Sequence, residues 1–109
     1  MERLLSRGAI KSLLNGHLDD WPVLQILELQ RTAGPGGDWF KVALWDGMRE
    51  HTNAVLLPRL NDRVENNEIE QFALVQLDEF DWYREIFGDV LFVLELTVVE
   101  KGRNVGGRL

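Results

Sequence analysis

Residues 38–56 read DWFKVALWDGMREHTNAVL, and the two residues in the middle decide what the rest can be. Phe40, Val42 and Leu44 alternate with Trp39, Lys41, Ala43 and Trp45, which is the two-residue period of a half-buried β-strand. Asp46-Gly47 then supplies the left-handed backbone of a tight hairpin turn. On the return run Arg49, His51, Asn53 and Val55 share one face, and Met48, Thr52, Ala54 and Leu56 share the other. A β-hairpin with one apolar and one mixed face is therefore expected here.

The neighbouring segments extend this pattern. Upstream, the Leu, Gln and Glu of PVLQILELQR (22–31) also suit a helix, but the opening Pro and the exit through AGPGG (33–37) favour a strand. That Gly-rich stretch runs into a strand, not into a helix with a Lys at fixed offset, so it is expected as a hairpin tip and not as a phosphate cradle. Ahead of it, Ile10, Leu13 and Leu14 form an apolar stripe on a short helix, with Ser6 placed to cap it and Gly16 to end it. Downstream, PRLNDRVENNEIE (58–70) spaces Leu60, Val64 and Ile69 for one or two helical turns, capped by Asn61. FALVQLDEF (72–80) and VLFVLELTVVE (90–100) are strands.

Between those last two strands lies a connection in which five acids, Asp78, Glu79, Asp81, Glu85 and Asp89, surround Phe80, Trp82, Tyr83 and Phe87. The chain ends KGRNVGGRL, with the composition of a flexible segment. One domain is expected over residues 1–103, with a linker starting at 104–109. Five strands, an opening helix and a helical segment between strands 3 and 4 predict an all-β closed barrel. Strand count alone fits an SH3-like barrel equally well.

Composition narrows the function. The 109 residues carry 18 acids and 12 bases, a net charge of −6. Phosphate contacts dominate nucleic-acid affinity, so strong general binding of nucleic acid is not expected. Residues 62–100 hold eleven acids but only Arg63 and Arg84 as bases. No cysteine is present, which excludes thiolate catalysis, disulfides and Cys-built zinc sites. No apolar run approaches a membrane span, and the opening residues lack a signal-peptide core, so a soluble intracellular protein is expected.

Catalytic groups are sparse. Ser6 and Ser12, the only serines, both sit on the opening helix, His17 lies at that helix's end, and His51 lies mid-strand. His51 with Asp46 and Glu50 matches no trusted metal spacing. The paired acids Asp19-Asp20 and Asp78-Glu79 read as solvated loops and strand ends. A binding module is expected, not an enzyme, and no cofactor.

The pieces LSRGAIKSLLNG, PVLQILELQR, DWFKVALWDGM, LNDRVENNEI and VLFVLELTVV, in that order, resemble the N-terminal OB domain of the replication protein A large (70 kDa) subunit. The resemblance implies a five-stranded OB-fold barrel and a protein-recruitment role. It also implies a nuclear, heterotrimeric single-stranded-DNA-binding complex that acts in replication, repair and recombination. Such a domain docks amphipathic, acidic helical peptides of checkpoint and repair proteins in a side groove with an apolar floor and basic rims. It binds single-stranded DNA weakly if at all. Other subunits engage the rest of such a chain, and the family's zinc site lies outside this segment.

Carried over position by position, the apolar floor falls on Val55, Val90, Phe92 and Leu94, with Asn53 as a small polar neighbour. Lys41 keeps a basic position. Gln30, Trp39 and Glu79 stand where bases are usual, and Arg31 is placed to compensate for Gln30. Trp82, Tyr83 and Arg84 belong to a connection that is normally basic. The expected groove is thus Gln30, Arg31, Trp39, Lys41, Asn53, Val55, Trp82, Arg84, Val90, Phe92 and Leu94, with its basic rim depleted. Lys41, Arg49 and His51 are the candidate nucleic-acid contacts.

Overall fold

A computed structural model of the chain describes residues 5–14, 21–34, 36–85 and 88–101. Helix α1 (Ala9–Leu14) precedes strands β1 (Val23–Gly34), β2 (Gly37–Trp45) and β3 (Glu50–Leu56). A 3-10 turn (Pro58–Leu60) runs into helix α2 (Asn61–Glu65), and β4 (Leu74–Glu85) and β5 (Gly88–Glu100) follow. The strands close in the order β1-β2-β3-β5-β4. This is the expected five-stranded OB-fold barrel, with the helical segment between β3 and β4. Pairing is antiparallel except between β3 and β5.

Alternation places the core. Leu24 and Ile26 of β1, Phe40, Val42 and Leu44 of β2, Ala54 and Leu56 of β3, Val75 and Leu77 of β4, and Leu91 and Val93 of β5 all point inward and are buried. The period breaks where the ladder bulges, between Ile26 and Glu28 and between Val42 and Leu44. An extra residue in one strand turns its neighbours to the other face. Ala43, expected outside with Lys41, is buried as well, although it does not join the core cluster that Phe40, Val42 and Leu44 enter.

Helix α1 plugs the barrel with Ala9, Ile10 and Leu13, all buried. Its tether differs from the expected Ser6 side-chain cap. Ser6 Oγ accepts from Val23 N–H at 2.9 Å, and Ser6 N–H donates to the Val23 carbonyl at 2.9 Å, so Ser6 pins the chain to β1. The cap comes from Asp46 in the β2–β3 turn, whose Oδ2 accepts from Ile10 N–H at 2.9 Å. Gly47 beside it has φ +95°, the conformation that Asp-Gly was expected to supply.

Two further expectations are corrected. Asn61 does not cap α2, because the 3-10 turn runs on into the helix and Leu60, itself helical, stands before it. Asn61 Nδ2 instead donates to the Asp38 carbonyl at 2.8 Å. The acidic stretch 78–85 is no loose connection, because β4 and β5 extend through it as a paired hairpin from Asp81↔Phe92 to Glu85↔Gly88. The expected helix end at Gly16, the Asp19-Asp20 pair, His17, Phe87 and the linker from 104 lie outside the described residues.

Candidate functional site

The barrel is closed on the β1–β4 side over a short length only, where Val23–Gln25 pair with Leu74–Gln76. Beyond that point β1 pairs with β2 alone, out to Gly34↔Gly37. Likewise β4 pairs with β5 alone, out to Glu85↔Gly88. Two hairpin arms result, with β3 between them, joined to β5 over Ala54–Leu56 and Leu91–Val93.

Register places one row of side chains across all five strands on the outer face. Gln30 opposes Lys41, Lys41 opposes Val55, Val55 opposes Phe92, and Phe92 opposes Asp81. Residues directly opposite share a face. In the middle of the row Val55 and Phe92 are half-buried, as are Val90 and Leu94 on the same strand as Phe92. They form an apolar floor that still meets solvent.

Aromatic rings fix the two sides of this floor. The Trp39 ring of the β1–β2 arm meets Phe92 edge-on at 6.3 Å, and the Tyr83 ring of the β4–β5 arm meets it edge-on at 5.1 Å. Each is a favourable aromatic geometry. Trp39 lies flat enough against β1 that a Cβ on Gly34 would sit 2.8 Å from its ring, so this position requires glycine for space. Leu57, Asp81, Tyr83, Phe92 and Leu94 line a cavity of about 300 Å³.

A family model described as Replication factor-A protein 1, N-terminal domain, matches residues 5–101. The chain belongs to that family. Among curated relatives, the replication protein A 70 kDa DNA-binding subunit of Drosophila melanogaster is 32% identical over 96% of this chain. The subunits of the same name from Xenopus laevis and Gallus gallus are each 28% identical, over 96% and 94% of the chain. The chain spans only 17–18% of the length of these relatives.

Within the replication factor-A fold, the other expected groove residues divide. Asn53 donates from Nδ2 to the Asp89 carbonyl at 3.1 Å, which fastens β3 to the start of β5. Gln30 and Lys41 line a second, more polar cavity of about 460 Å³ with Glu28, Leu29, Thr52 and Gln71. Arg31 is not an open rim cation. Its guanidinium bridges Asp38 at 2.7 Å and Glu65 at 2.9 Å and lies over the Phe40 ring. Trp82 opposes buried Leu91 and packs against the core, on the other side of the strand from Tyr83. The Arg84 side chain lies outside the described set.

The three candidate nucleic-acid contacts are spread out. Lys41 opposes Val55, whereas Arg49 lies at the β2–β3 turn, roughly 16 Å along β2 at the usual rise per residue. The bulge turns His51 to the side of Leu44, where its ring packs against Trp82 at a tilt of 55°, with centroids 5.1 Å apart. Burial lowers the His51 pKa below the ordinary 6.5, against a hydrogen bond to the Asn53 carbonyl that favours the cation.

Around the groove most charges are already matched. Arg59 sits 4.0 Å from both Glu79 and Glu95. Arg63 forks onto Glu68, Glu95 and the Leu96 carbonyl. Asp81 is different: it is exposed and forms no ion pair among the described residues. Asp81 and Leu57 were not anticipated as groove residues. Alternation held the signal, since Leu57 continues Asn53 and Val55, and Asp81 precedes Tyr83 by two. No group of acids and histidines among the described residues is placed to hold a metal. Asp46, one of the acids weighed for such a site, is spent on backbone N–H groups. No described helix is long and apolar enough to cross a membrane.

Proposed function

We propose that this domain is a protein-recruitment module of a replication protein A-type large subunit, and that its groove docks a short amphipathic helical segment from proteins of DNA replication, repair or checkpoint signalling. The supporting observation is the Trp39–Phe92–Tyr83 arrangement over a solvent-facing apolar floor. Trp and Tyr are among the residues enriched at binding hot spots. A helix laid between the two arms would bury one face on Val55, Phe92 and Leu94. Family membership supports a place in a nuclear complex whose other subunits engage further parts of such a chain. The domain spans residues 1–103 in this reading, and the chain from 104 onward serves as a tether.

Weak single-stranded DNA binding is the second reading. It is favoured by Trp39, Phe92 and Tyr83 as stacking surfaces beside Lys41 on an OB-fold face. The net charge of −6 opposes it. Calorimetric titration separates the two, using amphipathic helical peptides in one series and oligothymidylate in the other. Recruitment predicts peptide binding that Phe92→Ala weakens at least tenfold, with oligothymidylate weaker throughout. Tighter oligothymidylate binding, lost in Lys41→Ala, would favour the second reading.

A further inference from the structure

We infer that the segment seated in this groove is cationic on the β4 side, an apolar peptide carrying Arg or Lys placed to meet Asp81. This rests on the docking reading above and adds the sign of the charge. Asp81 lines the apolar cavity together with Leu57, Tyr83, Phe92 and Leu94, and it has no ion-pair partner among the described residues. Among the described side chains, the nearby cations are engaged elsewhere: Arg59 with Glu79 and Glu95, and Arg63 with Glu68 and Glu95. Arg31, on the other arm, is held by Asp38 and Glu65.

Lys41 is the free cation of the same row, but it stands three strands from Asp81, along Lys41, Val55, Phe92 and Asp81. At the usual spacing between strands that is roughly 14 Å, beyond the Debye length at physiological salt. Lys41 therefore leaves the Asp81 end uncompensated by any described side chain. An acidic ligand would bring like charge up against the exposed Asp81 carboxylate, which disfavours it. A guanidinium is well matched instead, because it pairs with a carboxylate through a planar fork and its faces stack on rings such as Tyr83 and Phe92.

Fluorescence anisotropy tests this with two labelled peptides that share their apolar residues and differ only in carrying Arg or Glu along one flank. The Arg peptide should bind at least tenfold more tightly than the Glu peptide, and rising salt should narrow the gap. Asp81→Asn should weaken the Arg peptide about fivefold or more and leave the Glu peptide unchanged or improved. Tyr83→Ala should weaken the Arg peptide as well. The inference is overturned if the Glu peptide binds more tightly, or if Asp81→Asn changes neither. It is also overturned if the Arg peptide ignores Phe92→Ala, because attraction to general surface acidity then suffices. Binding of the Glu peptide that is lost in Phe92→Ala would keep the docking reading and reject only the charge. Failure of both peptides to bind would remove the docking reading itself.

Discussion

Asp46 and Ile10 are 36 residues apart, yet the carboxylate of one caps the helix that carries the other, with Ile10 N–H donating to Asp46 Oδ2 at 2.9 Å. The second oxygen, Oδ1, accepts from Met48 and Arg49 N–H at 2.8 Å each. Asp46 is fully buried. Its burial is tolerated because three backbone donors replace water.

The first prediction follows from that geometry. Asp46→Ala strands three donors and should cost about 3 kcal/mol or more. Asp46→Asn should cost less, about 2 kcal/mol, because its Oδ1 still accepts in the turn while its NH2 confronts the Ile10 N–H. Urea denaturation measures both. A loss under about 1 kcal/mol for Asp46→Ala would contradict the capping role.

Gly34 predicts a separable effect. A methyl group there would meet the Trp39 ring at 2.8 Å. Gly34→Ala should therefore displace the indole from its edge contact with Phe92, and peptide affinity should fall severalfold while unfolding stays cooperative. Tryptophan emission and peptide titration of the variant report the two halves. Unchanged emission and affinity would mean that Trp39 is not held by this contact.

Arg63 joins α2 to β5. Its Nη1 donates to the Leu96 carbonyl at 3.0 Å, and Nε and Nη2 donate to Glu68 at 2.9 and 2.6 Å. Arg63→Ala should cost about 1–2 kcal/mol, as expected for charge-assisted bonds at a partly buried site. Arg63→Lys should recover less than half of that, because an ammonium cannot make the fork. Thermal denaturation of the two variants checks the order.

His51 predicts a pH dependence of known sign. Burial against Trp82 lowers its pKa, so the folded state favours the neutral ring. The groups facing it are the Asn53 and Asp89 backbone, the Asp89 carboxylate and Arg49. The stability that His51 contributes is fully present above 6.5 and is lost as pH falls through the lower folded-state value. Wild type should lose more stability than His51→Gln between neutral and mildly acidic pH. A ring titration midpoint above 6.5 by NMR would contradict this.

Much of the fold was legible because β-hairpins announce themselves locally. Phe40, Val42 and Leu44 alternate, and Asp46-Gly47 sits where the turn must reverse. The apolar floor at Val55, Phe92 and Leu94 was expected from the family resemblance and not from the local pattern. What failed was long-range. Ser6 looked like a cap, but the cap arrives from Asp46 across the fold. The acidic stretch 78–85 looked like a loop because carboxylates on an exposed arm carry the composition of one, although the β5 partner strand decides its structure. Trp82 and Tyr83 are adjacent and equally aromatic, and only strand register separates the one against the core from the one beside the groove. Arg31 looked like a free cation because its partners, Asp38 and Glu65, come from β2 and α2.

The docking groove is the central claim, and backbone-amide chemical-shift mapping with a bound amphipathic peptide tests it most directly. The account predicts shifts concentrated at Val55, Asp81, Tyr83, Phe92 and Leu94, with Trp39 included and with α1 and the Asp46 turn unchanged. Shifts confined to the α1 end, or to the Gln71–Thr52 side of the second cavity, would contradict it.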